Sequence, residues 1–124
     1  MNKKVLLIED DKDLQEIVSY NFSKEGFVIN SCLDGEDAME MVKNENPDLI
    51  ILDWMLPNVS GVEILRQIRS IKKYRKIPVI MLTAKNEETD RLKAFDGGAD
   101  DYISKPFSNA ELIARSKAIL RRIK

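Results

Sequence analysis

The stretch DLIILDWMLP, residues 48–57, decides the fold. Four consecutive apolar residues, Leu49, Ile50, Ile51 and Leu52, stop abruptly at Asp53. A run apolar on both faces of its pleat reads as a strand of a parallel sheet, because helices cover both faces of such a sheet. Two other segments repeat the design. Val5, Leu6, Leu7 and Ile8 run into Glu9, Asp10 and Asp11, and Val79, Ile80, Met81 and Leu82 run into Thr83 and Ala84. Two runs are less regular. Residues 27–32 alternate roughly, as a sheet-edge strand does, and Asp101, Tyr102, Ile103 and Ser104 lead into Lys105 and Pro106.

Helical patterns lie between these runs. Leu14, Ile17, Val18 and Phe22 share one helical stripe, and Gly26 follows as a stop signal. Ala38, Met41 and Val42 make a second stripe, with Pro47 beyond it. Ile64, Leu65, Ile68 and Ile71 make a third, opened by Ser60 and Glu63 at capping-box spacing. A fourth, around Leu92 and Phe95, ends at Gly97 and Gly98. The fifth holds Leu112, Ile113, Ile119 and Leu120 and opens with Ser108 and Glu111. The order is therefore strand then helix, five times over. Such alternation predicts an α/β fold with a parallel sheet, and right-handed crossovers leave few topologies. No repeat, low-complexity tract or linker interrupts residues 1–124, which read as one domain.

Composition narrows the chemistry. The chain has 124 residues, 44% of them apolar and 33% charged, with a net charge of -1. That balance gives no global footprint for nucleic acid. The lone Cys32 forms no internal disulfide, and its expected role is that of a half-buried strand residue. No apolar stretch approaches the roughly 20 residues of a membrane span, and acids follow the first short apolar run too closely for a signal peptide. A cytoplasmic protein is the expectation. The absence of histidine excludes Ser-His-Asp and Cys-His catalysis, and with one cysteine it excludes the usual zinc sites. Any metal must be held by oxygen, which leaves Mg²⁺, Ca²⁺ or Mn²⁺.

In a parallel sheet the carboxyl ends of all strands lie along one edge, where ligands of open α/β folds bind. Glu9, Asp10, Asp53, Thr83 and Lys105, far apart in sequence, then become neighbours. Carboxylates brought together repel unless a cation intervenes. Lys105 supplies one positive charge, and a hard divalent ion is the natural second. Carboxylates, a divalent cation, a lysine and a hydroxyl form a set for handling phosphoryl groups, and an aspartate can itself be the nucleophile. Each residue also has a plainer role available. Asp11 fits an N-cap, Lys105 a surface lysine, and Asp53 a cap for the turn that follows it. All of these at several strand ends together favour one shared site.

With these residues in view, the chain resembles the response-regulator receiver domain of two-component signalling, and most resembles its OmpR/PhoB class. The resemblance spans essentially the whole chain and rests on VLLIEDD, DLIILDWMLPNVSG, VIMLTA, GGADDYISKPF and ELIARSKAILRR. It implies a flavodoxin-like three-layer sandwich with a five-stranded sheet of order 2-1-3-4-5. It implies Asp53 as phosphoacceptor, with Asp10, Asp53, the Met55 carbonyl and, through water, Glu9 around Mg²⁺. It gives Lys105 and Thr83 to the phosphoryl group, small Ala84 to access, and Tyr102 to an aromatic switch that turns inward when Thr83 moves. A cis bond before Pro106 belongs to the same pattern. The partners implied are a sensor histidine kinase and, on phosphorylation, a second copy. Pairing would use the fourth helix, fifth strand and fifth helix, with Arg91 and Glu111, Asp101 and Arg115, and Asp100 and Arg122 forming intersubunit salt bridges. Control of transcription would run through a C-terminal DNA-binding domain outside this chain, and no membrane is implied. The only reactions implied are the domain's own phosphorylation and slow dephosphorylation. Two glycines, Gly97 and Gly98, stand where the class more often has one, and the pair predicts a looser end to the fourth helix.

Rival readings fit less well. A dehalogenase-type phosphatase needs an acid two residues after its nucleophile, where this chain has Met55. A flavodoxin-like cofactor binder needs a Ser-, Thr- and Gly-rich loop after the first strand, where the acids would instead repel phosphate. A receiver that only binds partners would not require the full set of acids, Thr83 and Lys105.

Overall fold

The computed structural model describes residues 2–84 and 97–122. The strands are β1 (Lys4–Ile8), β2 (Val28–Cys32), β3 (Leu49–Asp53), β4 (Val79–Ala84) and β5 (Asp101–Lys105). The helices are α1 (Lys12–Lys24), α2 (Ala38–Glu45), α3 (Gly61–Ser70) and a C-terminal helix (Asn109–Arg122), with a short 3₁₀ turn at Gly35–Asp37. The fourth helical pattern, around Leu92 and Phe95, lies outside the described residues. The strands pair in parallel in the order β2-β1-β3-β4-β5. That is the expected flavodoxin-like order, with the alternating run of residues 27–32 at an edge.

The apolar runs divide between two cores. Leu6, Ile8, Ile50, Leu52, Val79 and Met81 face Ala38, Val42, Ile64, Leu65 and Ile68 from α2 and α3. Val5, Leu7, Leu49, Ile51, Ile80 and Leu82 face Val18 and Phe22 of α1 and Leu112 and Ile119 of the C-terminal helix. Successive residues of one strand thus enter opposite layers, the period-two rule of a pleated strand. This is why the three central runs are apolar throughout: neither face meets water. All five residues of β3 are buried.

Local signals act where the sequence places them. The Asp11 side chain caps α1 by accepting from the Leu14 N–H, at 3.1 Å. Ser60 and Ser108 accept from the N–H groups of Glu63 and Glu111, at 3.2 and 3.0 Å. Gly26 ends α1 with φ +92°. Its N–H bonds the Ser23 carbonyl while the Phe27 N–H bonds that of Phe22, the paired closure of a Schellman motif. Two stripe residues differ from expectation. Ile17 is 51% exposed and Ile71, just past the end of α3, is 39% exposed. Ile17 lies on the rim of its stripe, on the side of α1 turned from the sheet, and Ile71 is the extended residue that ends α3. Cys32 is more deeply buried than half, at 5% exposure.

At the amino ends of the strands, Lys3, Phe27, Lys117, Leu120 and Arg121 line a hollow of about 330 Å³. The carboxyl ends form the opposite edge, where the polar residues collect.

Candidate functional site at the carboxyl edge of the sheet

Four strands deliver the site. Glu9 and Asp10 follow β1, Asp53 ends β3, Thr83 lies near the end of β4, and Lys105 ends β5. The register holds them in line. Asp53 stands beside Leu82, Thr83 beside Ser104, and Ala84 beside Lys105. The Glu9 N–H continues the sheet by bonding the Cys32 carbonyl at 3.0 Å, which turns its side chain inward. Glu9 and Asp53 are buried, at 0% and 3% exposure, and Asp10 is exposed. One carboxylate oxygen from each of the three lies within 4.8 Å of the others.

Lys105 is the cation among them. Its ammonium lies 2.8 Å from Glu9 Oε1 and 3.3 Å from Asp53 Oδ1. Glu9 Oε2 accepts from the Asp11 N–H at 2.9 Å, and Asp53 Oδ1 from the Met55 N–H at 3.3 Å. Burial, and then the Glu9 charge, push the Asp53 carboxyl from its ordinary 3.8 up to about 7, against the pull of Lys105 and the Met55 N–H. Burial draws the Lys105 ammonium down, but the hydrogen bond to Glu9 and the charges of Asp53 and Glu9 outweigh it and hold its pKa above the usual value. Three carboxylates face one ammonium, so the site carries uncompensated negative charge and invites a second cation.

A buried polar atom points the same way. Among the described residues Thr83 Oγ1 is enclosed and has no hydrogen-bond partner. A buried hydroxyl left unpaired costs on the order of 1–3 kcal/mol, and such atoms mark places where a ligand completes the set. The donors are hard oxygens, some buried and one open to water, which suits Mg²⁺.

The backbone around Asp53 is tightly specified. The Trp54 N–H bonds the Leu82 carbonyl at 2.9 Å, and the Gly61 N–H bonds the Trp54 carbonyl at 3.0 Å. A Cβ at Gly61 would collide with the Asp53 carbonyl oxygen. Reasoning from sequence passed over Gly61; the Ser60-Gly61 pair just inside a helix start was the available signal. It also gave Lys105 to a phosphoryl group without anticipating that Glu9 is its nearest partner.

Residues 5–117 match the family described as Response regulator receiver domain. The chain belongs to that family. It is 46% identical over 124 residues to the phosphate regulon transcriptional regulatory protein PhoB of Rhizobium meliloti (strain 1021), covering 100% of this chain and 55% of that protein. The receiver thus spans about half the length of that relative. Its fold overlays a putative response regulator from Chloroflexus aurantiacus J-10-fl with a TM-score of 0.93 at 29% identity, over 98% of this chain and 99% of that one. It overlays the Francisella response regulator 1452 receiver domain with a TM-score of 0.91 at 34% identity, over 99% and 100%. The protein is the receiver domain of a two-component response regulator. It is a signalling domain rather than an enzyme of the ordinary kind. Among the described residues no helix is long and apolar enough to cross a membrane.

The other expected site residues of the receiver are placed as follows. Met55 is 69% exposed, Ala84 is exposed, and Tyr102 is half-buried against the core that includes α3. The peptide before Pro106 is cis. Within one chain Arg115 pairs with Asp101 at 3.0 Å and with Glu111 at 3.3 Å. Asp100 pairs with Arg69 at 3.0 Å. Arg122 is exposed on the last turn. Arg91 lies outside the described residues.

Proposed function

We propose that the receiver accepts a phosphoryl group on Asp53 from the phosphohistidine of a sensor histidine kinase. The observation that carries this reading is Asp53 itself, a buried carboxylate with Lys105 at 3.3 Å, two further acids within 4.8 Å, and the unpartnered Thr83 hydroxyl beside it on β4. Glu9, Asp10, Asp53 and the Met55 carbonyl would hold Mg²⁺, which supplies positive charge at the phosphoryl oxygens when bound. An Asp53 carboxylate oxygen attacks phosphorus in line. The O–P bond forms as the N–P bond to the donor imidazole breaks, and the electron pair leaves with that nitrogen. Lys105 turns its ammonium from Glu9 toward the equatorial oxygens, where negative charge gathers. Thr83 Oγ1 donates to a phosphoryl oxygen and gains the partner it lacks. Met55 stands two residues after Asp53, where a general acid and base would drive rapid turnover, so the acyl phosphate leaves by slow hydrolysis.

In this reading the new dianion draws Thr83 inward and Tyr102 after it. The face that includes β5 and the C-terminal helix then pairs with a second copy. Transcription would be controlled through an attached DNA-binding domain, a reading supported by the PhoB relative's being a transcriptional regulatory protein by name, and the receiver would act in the cytoplasm. The test is intact-mass spectrometry after incubation with Mg²⁺ and acetyl phosphate. One added phosphoryl group is expected, absent in Asp53→Ala and absent when EDTA replaces Mg²⁺. An adduct that survives Asp53→Ala would refute the assignment.

A further inference from the structure

Outside the acidic site, the half-buried Arg69 is bonded through each of its guanidinium nitrogens. Arg69 lies in the last turn of α3, with its side chain 20% exposed. Its Nε donates to the Gly98 carbonyl at 2.8 Å. Its Nη1 donates to the Arg75 and Ile77 carbonyls at 3.1 and 2.7 Å. Its Nη2 donates to Asp100 Oδ2 at 3.0 Å. One side chain thereby ties the turn that follows α3 to the segment that enters β5.

Asp100 is held from a second side too. The same Oδ2 accepts from the Val79 N–H at 2.8 Å, and the Asp100 N–H donates to the Val79 carbonyl at 2.8 Å. Both Arg69 and β4 therefore grip one oxygen of a carboxylate whose side chain stays 44% exposed. Gly98 fits this clamp on two counts. Its φ is +98°, and a Cβ there would lie 3.0 Å from Arg69 Nε. The second glycine of the pair is thus pinned at its carbonyl rather than loose.

We infer that Arg69 is a positioning residue for the pairing face: it fixes residues 98–100 and presents Asp100 to a second copy by one carboxylate oxygen while holding the other. The inference rests on the proposed phosphorylation-dependent pairing. A side chain already ordered in the monomer loses less freedom on association than a mobile one. The guanidinium fork is what allows four acceptors to be met at fixed geometry, and a lysine cannot reproduce it.

The test is sedimentation equilibrium of the full chain with Mg²⁺ and beryllofluoride. It compares wild type, Arg69→Met, Arg69→Lys, Arg122→Ala and the Arg69→Met/Arg122→Ala double variant. Circular dichroism and phosphorylation by intact mass accompany it. Both Arg69 variants are expected to fold, to phosphorylate as wild type does, and to dimerise roughly tenfold more weakly. In the Arg122→Ala background Arg69→Met adds no further loss, because both act through Asp100. Unchanged or tighter dimerisation of Arg69→Met, full rescue by Arg69→Lys, or losses that add with Arg122→Ala would each overturn the inference. Should Arg69→Met fail to fold, Arg69→Lys carries the same comparison. A wild-type chain that stays monomeric would defeat the pairing reading itself, and this one with it; a dimeric wild type beside an unaffected Arg69→Met defeats this one alone.

Discussion

At the residue scale, Asp53 is a carboxylate kept against its own preference for water. Its carboxyl titrates near 7 in the folded chain and near 3.8 when exposed. Between those values the folded state holds a proton that the unfolded state has released. Metal-free stability therefore falls as pH rises from about 4 to about 7, the reverse of a salt-bridged aspartate. Asp53→Asn cannot ionise and escapes this loss. Urea denaturation in EDTA should show it gaining on the order of 1–3 kcal/mol over wild type between pH 4.5 and 8. A gap that closes with rising pH would contradict the sign. Thr83 offers a second test. Thr83→Val keeps the shape and removes the unpartnered hydroxyl, so the unphosphorylated domain should gain about 1 kcal/mol in the same assay. The Asp53 adduct should still form on intact-mass spectrometry, with its lifetime changed.

Elements were legible to the degree that one force shaped them. β1, β3 and β4 could be read from their apolar runs because both faces of each are covered, and Asp11, Ser60 and Gly26 marked helix ends by chemistry local to the chain. Ile17 was misplaced because a stripe of four apolar residues does not say which of its edges the sheet reaches. Val18 is buried at 0% exposure and Ile17 is 51% exposed, one residue apart on α1. Val18→Ala should therefore cost on the order of 1–3 kcal/mol in chemical denaturation, while Ile17→Ala stays within about 0.5 kcal/mol. Equal costs would mean that α1 packs in another rotation. The acidic site was legible too, since parallel strands bring their ends together whatever else they do. The clamp at Arg69 was not, because its acceptors are mostly backbone carbonyls, which every residue carries.

At the scale of the whole molecule, the order β2-β1-β3-β4-β5 puts all the chemistry on one edge. Sequence pattern alone reached the alternation of strand and helix; the order itself came from the family resemblance, because the pattern leaves more than one arrangement of parallel strands. The hollow at the other edge is lined by Lys3 and Arg121 together, residues from near the two ends of the chain. Within the described residues the receiver fold thus comes close to closing on itself, on the side away from Asp53. Its linear order is then a convention the fold does not need. A circular permutant, joined by a short Gly-Ser bridge across that hollow and opened in the exposed turn at Lys72 and Lys73, keeps every strand end in place. It should fold and take up one phosphoryl group on Asp53, as mass spectrometry would show. A permutant that folds but refuses the phosphoryl group would mean that chain order, and not only the meeting of strand ends, builds the site.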